Sequence, residues 1–570
     1  MSATGKERLM WEVEKFVVTR LRPLQAPHYD CDDVSNLEKR QQLMDESRKS
    51  HENKYRNSQE KLVGFSQLTN HEICHEMFWN AFRGRSKMYI QIENFMFDED
   101  RPFHRPDEKA DENGITEEDE VIVLQCSLLT SQMLEYDIMM FNAMSDSGDE
   151  EYKEEARKFY RPYLFSYVAE INREKYERLR ELQRKTEKDW SVEEDGSSYL
   201  WLACTFNPDI NVPKVGLSGY VVQSASSINK IKADLYIIED EKTPRATVKE
   251  ILDKYKLRPS CKIDDDSFIR KIESKLGNDR LSTIDVYKIG NGNCIYAQTE
   301  SGNMSFFYDI GFNYRHRPGK IASGVKYSYS RTMKEIYGKQ PSFFILSHWD
   351  MDHVAGGVAA GKGFLDKDWF APDCYDACID AKRLAKYLDM KGHLFLAKRP
   401  PRQKKSPGRL IGRQIDIKST AIPSQTLATY RFYLGGKAKC DGSYPNCEGI
   451  VIEYTDVLNE KAVLMMGDVN YSSFNSARPQ NQSFAQTKIH YLIAPHHGSE
   501  RTDYKKIADS GRIAIPGIEA IICCTNEEDV NRPNKYHRKE LGKRFEGVWT
   551  TEEAPPTKNS ISIILQQGKP

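Results

Sequence analysis

The densest chemistry in the chain lies in Phe343–Gly357, FFILSHWDMDHVAGG. Four apolar residues, Phe343, Phe344, Ile345 and Leu346, predict a buried strand. Ser347, His348, Asp350, Asp352 and His353 then follow within seven residues. Imidazole and carboxylate groups are ligands for Zn2+, Mn2+ or Fe2+. Ligands at the end of a rigid strand are held ready for a metal with little reorganisation.

Three further pieces lie downstream, each after an apolar run that predicts a strand. Asp468 stands in AVLMMGDVNY, His496 and His497 in IHYLIAPHHGS, and His537 in NRPNKYHRKEL after EAIICC. Two imidazoles and two carboxylates from the first motif exceed what one metal needs. A carboxylate such as Asp468 can bridge two ions, and a two-metal site about 3.5–4 Å across can activate water and clamp the attacked group. A lone histidine is more often structural; the ordered set of four pieces carries the inference.

The elements that must position these groups begin near Leu281, where the texture of the chain changes. STIDVYKIGNGNCIYAQ, SFFYDIG, SFFILSHWD, GIVIEY, AVLMMGD, IHYLIAP and EAIICCTN are short apolar runs separated by turn residues. With helices such as Ile379–Met390 between them, they predict a sheet-rich α/β domain over residues 281–570. Residues 1–280 read as a helix-rich α+β region whose role the sequence does not state. Strands are expected at Val121–Cys126, Tyr199–Thr205 and Leu217–Val222, a long packed helix from Pro162 to Trp190, and shorter helices at Thr247–Lys256 and Asp266–Leu276. This N-terminal region is a candidate surface for a protein partner.

A chain of 570 residues is too long for one core. Its net charge of −1 excludes a global field drawing it onto nucleic acid, so any such contact must be a local patch. No apolar run is long enough to span a bilayer, and the first residues lack a signal-peptide core. A cytoplasmic protein with no membrane partner is the expectation. Its 12 cysteines include no CxxC pair, so reduced, buried thiols are expected rather than a zinc ribbon.

The motif set resembles the metallo-β-lactamase domain of ComEC-type DNA-uptake proteins and their soluble relatives. The carrying residues are VYKIGNGNC (Val286–Cys294), FFYDIG (Phe306–Gly311), SHWDMDHVAGG, MGD (Met466–Asp468), HHGS (His496–Ser499) and YHR (Tyr536–Arg538). They span about residues 283–565. Asn291, Asn293 and Ile310 depart from the family pattern, and the late motif lacks its usual Gly-His-Pro.

The resemblance implies an αββα metallo-β-lactamase sandwich and two divalent transition-metal ions, Zn2+ or Mn2+. It implies His348, Asp350 and one histidine of the HHGS pair at one ion. It implies Asp352, His353 and His537 at the other, with Asp468 between. His496 is then the ligand and His497 a supporting group or proton donor, the reverse order being the alternative. His393, in KGHLF, lies where many relatives place another ligand. The implied activity is hydrolysis by a metal-activated hydroxide, with Asp352, Asp468 and His497 as catalytic groups. A phosphodiester is favoured as substrate, DNA first and a nucleotide next. A fold of this kind that binds without turnover is a different class of reading.

A second motif, His71-Glu72-Ile73-Cys74-His75, matches HExxH, which places two histidines on one helix face as in zinc peptidases. Glu93 is a candidate third ligand from a following helix. The polar QLTN before it lacks the apolar approach of that family, and a packed or partly exposed helix face explains His71, His75, Phe78 and Phe82 as well.

Lys398–Arg413, KRPPRQKKSPGRLIGR, holds seven basic residues and no acid. It reads either as a solvated loop offset by the acidic segment 98–120 or as a contact for phosphate backbone. Replacing Arg402, Lys404, Lys405 and Arg409 by serine is expected to weaken DNA binding alike on all sequences and to flatten its salt dependence. Titrations at several salt concentrations measure both, and an unchanged affinity and slope would remove the loop from the substrate site.

Overall fold

A computed structural model describes residues 4–21, 69–97, 122–145, 148–189, 201–208, 212–224, 228–239, 253–290, 292–312, 330–373, 378–398, 410–435, 449–475, 488–499, 502, 504–509, 516–524, 533–554 and 558–565. The fold is mixed α/β. The chain forms two compact units, Met1–Lys87 with Thr130–Arg161, and Met88–Leu129 with Pro162–Pro570. No helix among the described residues is long and apolar enough to cross a membrane.

The first unit is helical, with Gly5–Phe16, Asn70–Phe82, Ser131–Ser145 and Glu150–Phe159. Two of these helices open on full capping boxes, Thr4 with Glu7 and Thr69 with Glu72.

The second unit contains a closed barrel of six strands, in the order Met88–Phe97, Ile122–Thr130, Leu164–Ile171, Lys214–Ser224, Ile228–Ile238 and Trp201–Thr205. The N-terminal half thus holds more strand than its sequence suggests. The expected helix from Pro162 is a strand, Leu164–Ile171, followed by a helix, Arg173–Asp189. Leu164, Val168 and Ile171 imitate helical spacing because nearly every residue of this strand is buried, so alternation is lost. Glu93 lies on the first barrel strand rather than on a helix.

The same unit contains two larger sheets. One runs, edge to edge, Ser560–Ile564, Leu281–Tyr287, Cys294–Thr299, Ser305–Ile310, Phe343–Ile345, Asp368–Pro372, Leu394–Ala397 and Lys262–Ile263. The other runs Leu410–Lys418, Thr426–Gly435, Ile450–Asp456, Lys461–Met465, Tyr491–Ile493, Gly517–Ile522 and Phe545–Thr550. Val286, Phe306, Phe343 and Phe370 of the first bury a common core with Phe432, Ile452, Val463 and Ile521 of the second. Alternate residues of the second sheet, such as Val451, Leu464 and Leu492, pack outward with Phe474 and Leu541 from the helices Tyr471–Asn475 and Lys535–Gly542. On the first sheet, the Phe344 ring stacks on Trp369 and Phe307, with centroids 4.3 and 5.7 Å apart. Such side chains contribute about 1.5–3 kcal/mol each on burial.

In both sheets the strands that precede the chemical motifs are parallel to their neighbours. Ser305–Ile310, Phe343–Ile345 and Asp368–Pro372 run together, as do Lys461–Met465, Tyr491–Ile493 and Gly517–Ile522. Their C-terminal ends therefore point the same way within each sheet, and residues just after them gather at one edge.

A buried ion pair ties the barrel strand Leu164–Ile171 to the helix Ile379–Lys391. The Asp380 carboxylate accepts from the Phe165 N–H at 3.1 Å and the Ser166 hydroxyl at 2.7 Å. Arg383 bonds Asp380 at 2.6 Å and the Tyr163 carbonyl at 3.1 Å. Both side chains are fully buried. Asp380→Ala leaves the guanidinium without its carboxylate, so a loss of about 3–5 kcal/mol is expected. Denaturant unfolding of the full chain measures it, and a loss under 1 kcal/mol would show the tie to be dispensable.

Candidate metal centre

The strand Phe343–Ile345 ends where polar side chains begin. The helix Met351–Ala360 starts after Asp350, which occupies the N-cap position but makes no side-chain cap bond. Asp352 and His353 thus enter on the first turn of a helix, where the positive dipole end favours a carboxylate. The helix sits close against the neighbouring strand end, since a Cβ on Gly311 would lie 1.6 Å from the Asp352 carbonyl oxygen.

Asp468 follows Lys461–Met465 after Gly467, whose φ is +55° and whose added Cβ would strike Ser347 at 2.4 Å. His496 and His497 follow Tyr491–Ile493, both at left-handed φ, 50° and 56°. Asp309, ending another strand, shares that region at 60°. Each costs about 1–3 kcal/mol, and such strain collects at functional sites.

The two oxygens of Asp468 face two groups of residues. Oδ2 lies 3.7 Å from His348 Nε2 and 3.7 Å from His496 Nε2. His348 Nε2 is in turn 3.4 Å from Asp350. Oδ1 lies 3.1 Å from His353 Nε2 and 3.9 Å from His497 Nε2, and the latter is 3.2 Å from Asp352. Ligand atoms about 2.0–2.2 Å from a shared ion stand roughly 3–3.5 Å from one another. Buried His348 Nε2 and His497 Nε2 make no hydrogen bond, so they suit a cation. Two compact triads could hold one: His348, His353 and Asp468, and Asp352, His353 and His497.

Supporting bonds turn these nitrogens inward. Asp309 accepts from His353 Nδ1–H at 2.8 Å, the Ser347 N–H at 2.6 Å and the Ser347 hydroxyl at 2.8 Å. His497 Nδ1–H donates to the Cys523 carbonyl at 2.8 Å. In His497 this leaves the Nε2 lone pair for a ligand, and in His353 it turns Nε2 toward Asp468. Burial pushes the Asp468 carboxyl up, but His496, His353 and His348 outweigh it and hold the group well below the usual carboxylate range. Burial opposes charge on His353, yet Asp468 and Asp309 prevail and raise its pKa well above the ordinary value. The carboxylates draw positive charge inward.

Of the residues singled out in the sequence, His348, Asp350, Asp352, His353, Asp468, His496 and His497 come together. His537 does not join them. Its ring is fully buried, with Nδ1 3.2 Å from the Ser499 carbonyl and Nε2 2.9 Å from the Tyr471 hydroxyl. Burial lowers its pKa to about 4. His497 stands where His537 was expected, beside Asp352. His393 is bonded to Asp368 at 2.9 Å, away from the cluster. Asp309 joins the cluster without having been a candidate from spacing, although FFYDIG ends an apolar strand on a carboxylate.

The second motif has another use for its glutamate. Glu72 accepts from the Thr69 N–H at 2.8 Å and hydroxyl at 3.0 Å, closing the capping box. His75 Nε2 accepts from the Trp79 indole N–H at 3.2 Å. No metal-holding triad among the described residues includes His71 or His75. Arg402, Lys404, Lys405 and Arg409 lie outside the described residues. So do the acidic segment 98–120 and most of the expected helix Thr247–Lys256. Arg413, at the loop's far end, pairs with Asp266 at 3.1 Å and Asp265 at 3.8 Å. The described cysteines, Cys294 and Cys523 among them, are buried thiols.

No family model and no curated protein matches the chain. Among solved structures, it is similar to the metallo-beta-lactamase fold protein YhfI from Bacillus subtilis, at 14% identity and a TM-score of 0.25, over 50% of this chain and 99% of that one. It is also similar to CmlA, a diiron beta-hydroxylase from Streptomyces venezuelae, at 11% identity and a TM-score of 0.23, over 48% of this chain and 45% of that one. At these scores the likenesses carry no argument, and the functional reading rests on the site.

Asp468→Ala removes the carboxylate shared by both groups. Metal analysis of purified protein is expected to find close to two transition-metal ions per chain and fewer in this variant. Asp309→Asn is expected to weaken metal binding roughly 10- to 100-fold by releasing His353. Protein that holds no metal and takes up none on addition would contradict the assignment.

Proposed function

We propose that the two facing sheets form an αββα metallo-β-lactamase domain that hydrolyses a phosphodiester with two divalent transition-metal ions, Zn2+ or Mn2+. The observation that carries this reading is the division of ligands about Asp468. His348, Asp350 and His496 would hold one ion on the Oδ2 side. Asp352, His353 and His497 would hold the other on the Oδ1 side. When ionised, the cluster's four carboxylates, Asp309, Asp350, Asp352 and Asp468, carry four negative charges, which two divalent ions balance. Two such ions, when bound, supply a water activated at neutral pH and a clamp on the oxygens of an in-line displacement.

The chain's own groups do the rest. Asp309 and the Cys523 carbonyl fix the tautomers of His353 and His497. Asp352 and His497 are fully buried. Asp350 reaches solvent, with its side chain 40% exposed. The resemblance of the motifs to those of DNA-uptake proteins favours DNA as substrate, with a small phosphodiester or nucleotide next. The capping role of Glu72 argues against a peptidase at His71 and His75.

Metal-loaded protein is expected to cleave bis-(p-nitrophenyl) phosphate, and single- or double-stranded DNA with Mn2+ or Zn2+. Asp352→Ala is expected to lower the rate roughly a hundredfold or more. Casein should survive the same preparation. A chain that holds two ions yet cleaves no phosphodiester would favour a binding protein on this fold.

A further inference from the structure

His537 was expected to be a ligand, and its surroundings give it different work. Its Nδ1–H faces the Ser499 carbonyl at 3.2 Å. A carbonyl oxygen only accepts, so the proton sits on Nδ1. Nε2 is then an acceptor, and the Tyr471 hydroxyl donates to it at 2.9 Å. Both nitrogens are spent, and neither is left for a metal.

The two partners matter because of where they lie in the chain. Tyr471 comes three residues after Asp468, and Ser499 two residues after His497. One imidazole therefore joins the two ligand-bearing loops. The loops also meet through the His496 N–H, which donates to the Gly467 carbonyl at 3.0 Å. The helix that carries His537 is anchored to the same turn. The Asn534 N–H donates to the Gly498 carbonyl at 3.0 Å, while its side chain accepts from the His537 N–H at 3.2 Å. The Tyr504 ring stacks on the imidazole, with centroids 5.7 Å apart and planes 15° apart.

The bonded turn is also the strained one. His496 and His497 both sit at left-handed φ, which non-glycine residues hold only when their surroundings over-determine it. We propose that His537 is a positioning residue, not a ligand: it clasps the Asp468 loop to the His496–His497 turn and so sets the spacing of the centre. This rests on the two-metal reading of the preceding section. Its chemistry requires one donor and one acceptor on a rigid, buried group about the length of an imidazole. A glutamine amide can supply both, and a leucine neither.

The test loads full-length apoprotein with Co2+ and reads three quantities that need no turnover: ions per chain, the visible absorption spectrum, and the rate of metal release to a chelator. His537→Gln is expected to keep the wild-type ion number and spectrum. His537→Leu is expected to keep the ion number, alter the spectrum, and release metal roughly 10- to 100-fold faster. Tyr471→Phe should move release the same way by less, and add nothing in the His537→Leu background, because the two share one bond. An ion missing from His537→Gln would make His537 a ligand after all. Additive effects of Tyr471→Phe and His537→Leu, or wild-type release from His537→Leu, would overturn the clasp. Should His537→Leu not fold, His537→Gln and Tyr471→Phe still decide. A wild type that takes up no Co2+ would sink the metal centre itself and the clasp with it, whereas normal loading with unaltered release sinks the clasp alone.

Discussion

The carboxylate of Asp468 is buried among four imidazoles, and the architecture of the second unit follows from having to put it there. A charge so enclosed is tolerated when opposite charge surrounds it, and a ring of histidines supplies that charge or holds an ion that does. Those histidines come from separate stretches of chain. They can meet because parallel strands of two sheets deliver their C-terminal ends to one edge. Ser347, whose carbonyl accepts from the Ile450 N–H at 2.9 Å, and Tyr308, whose hydroxyl donates to the Ile450 carbonyl at 2.6 Å, fasten one sheet to the other beside the centre.

Precision there is obtained with strain. Three residues of the centre, Asp309, His496 and His497, hold left-handed backbone without being glycine. Each is secured by a bond made behind the centre: Ser347 to Asp309, Cys523 to His497, and Gly467 to His496. The glycines that do occur are used where contact is closest, as at Gly311 against the helix bearing Asp352.

Much of this was legible in the sequence, and the reason is local. Polar groups that follow a strand within a few residues are tied to it, so the clustering of His348, Asp350, Asp352, His353 and Asp468 could be read from strand ends. His496 and His497 could be placed but not assigned, because the distinction lies in a left-handed turn that no spacing reveals. His537 lies outside the cluster in space, and burial beside a site and membership of it look alike in one dimension. Asp309 acts through another residue, and a single Asp after FFY carries no mark of that. The barrel was harder still. Its third strand is buried along nearly its whole length, which removes the alternation that distinguishes a strand from a buried helix.

The outermost strand of the eight-stranded sheet, Ser560–Ile564, pairs with Leu281–Tyr287, and the Ser562 hydroxyl reaches Asp285 across 277 residues of chain. Loop closure over that span is cheap at equilibrium, because its entropy grows only with the logarithm of length. It is slow during synthesis. At about 5–20 residues per second, Asp285 waits roughly 14 to 55 s after leaving the ribosome before its partner is made. Through that interval the edge of Leu281–Tyr287 stands open as a template for any passing strand. The pairing that closes this edge is therefore among the last contacts of the fold that synthesis permits.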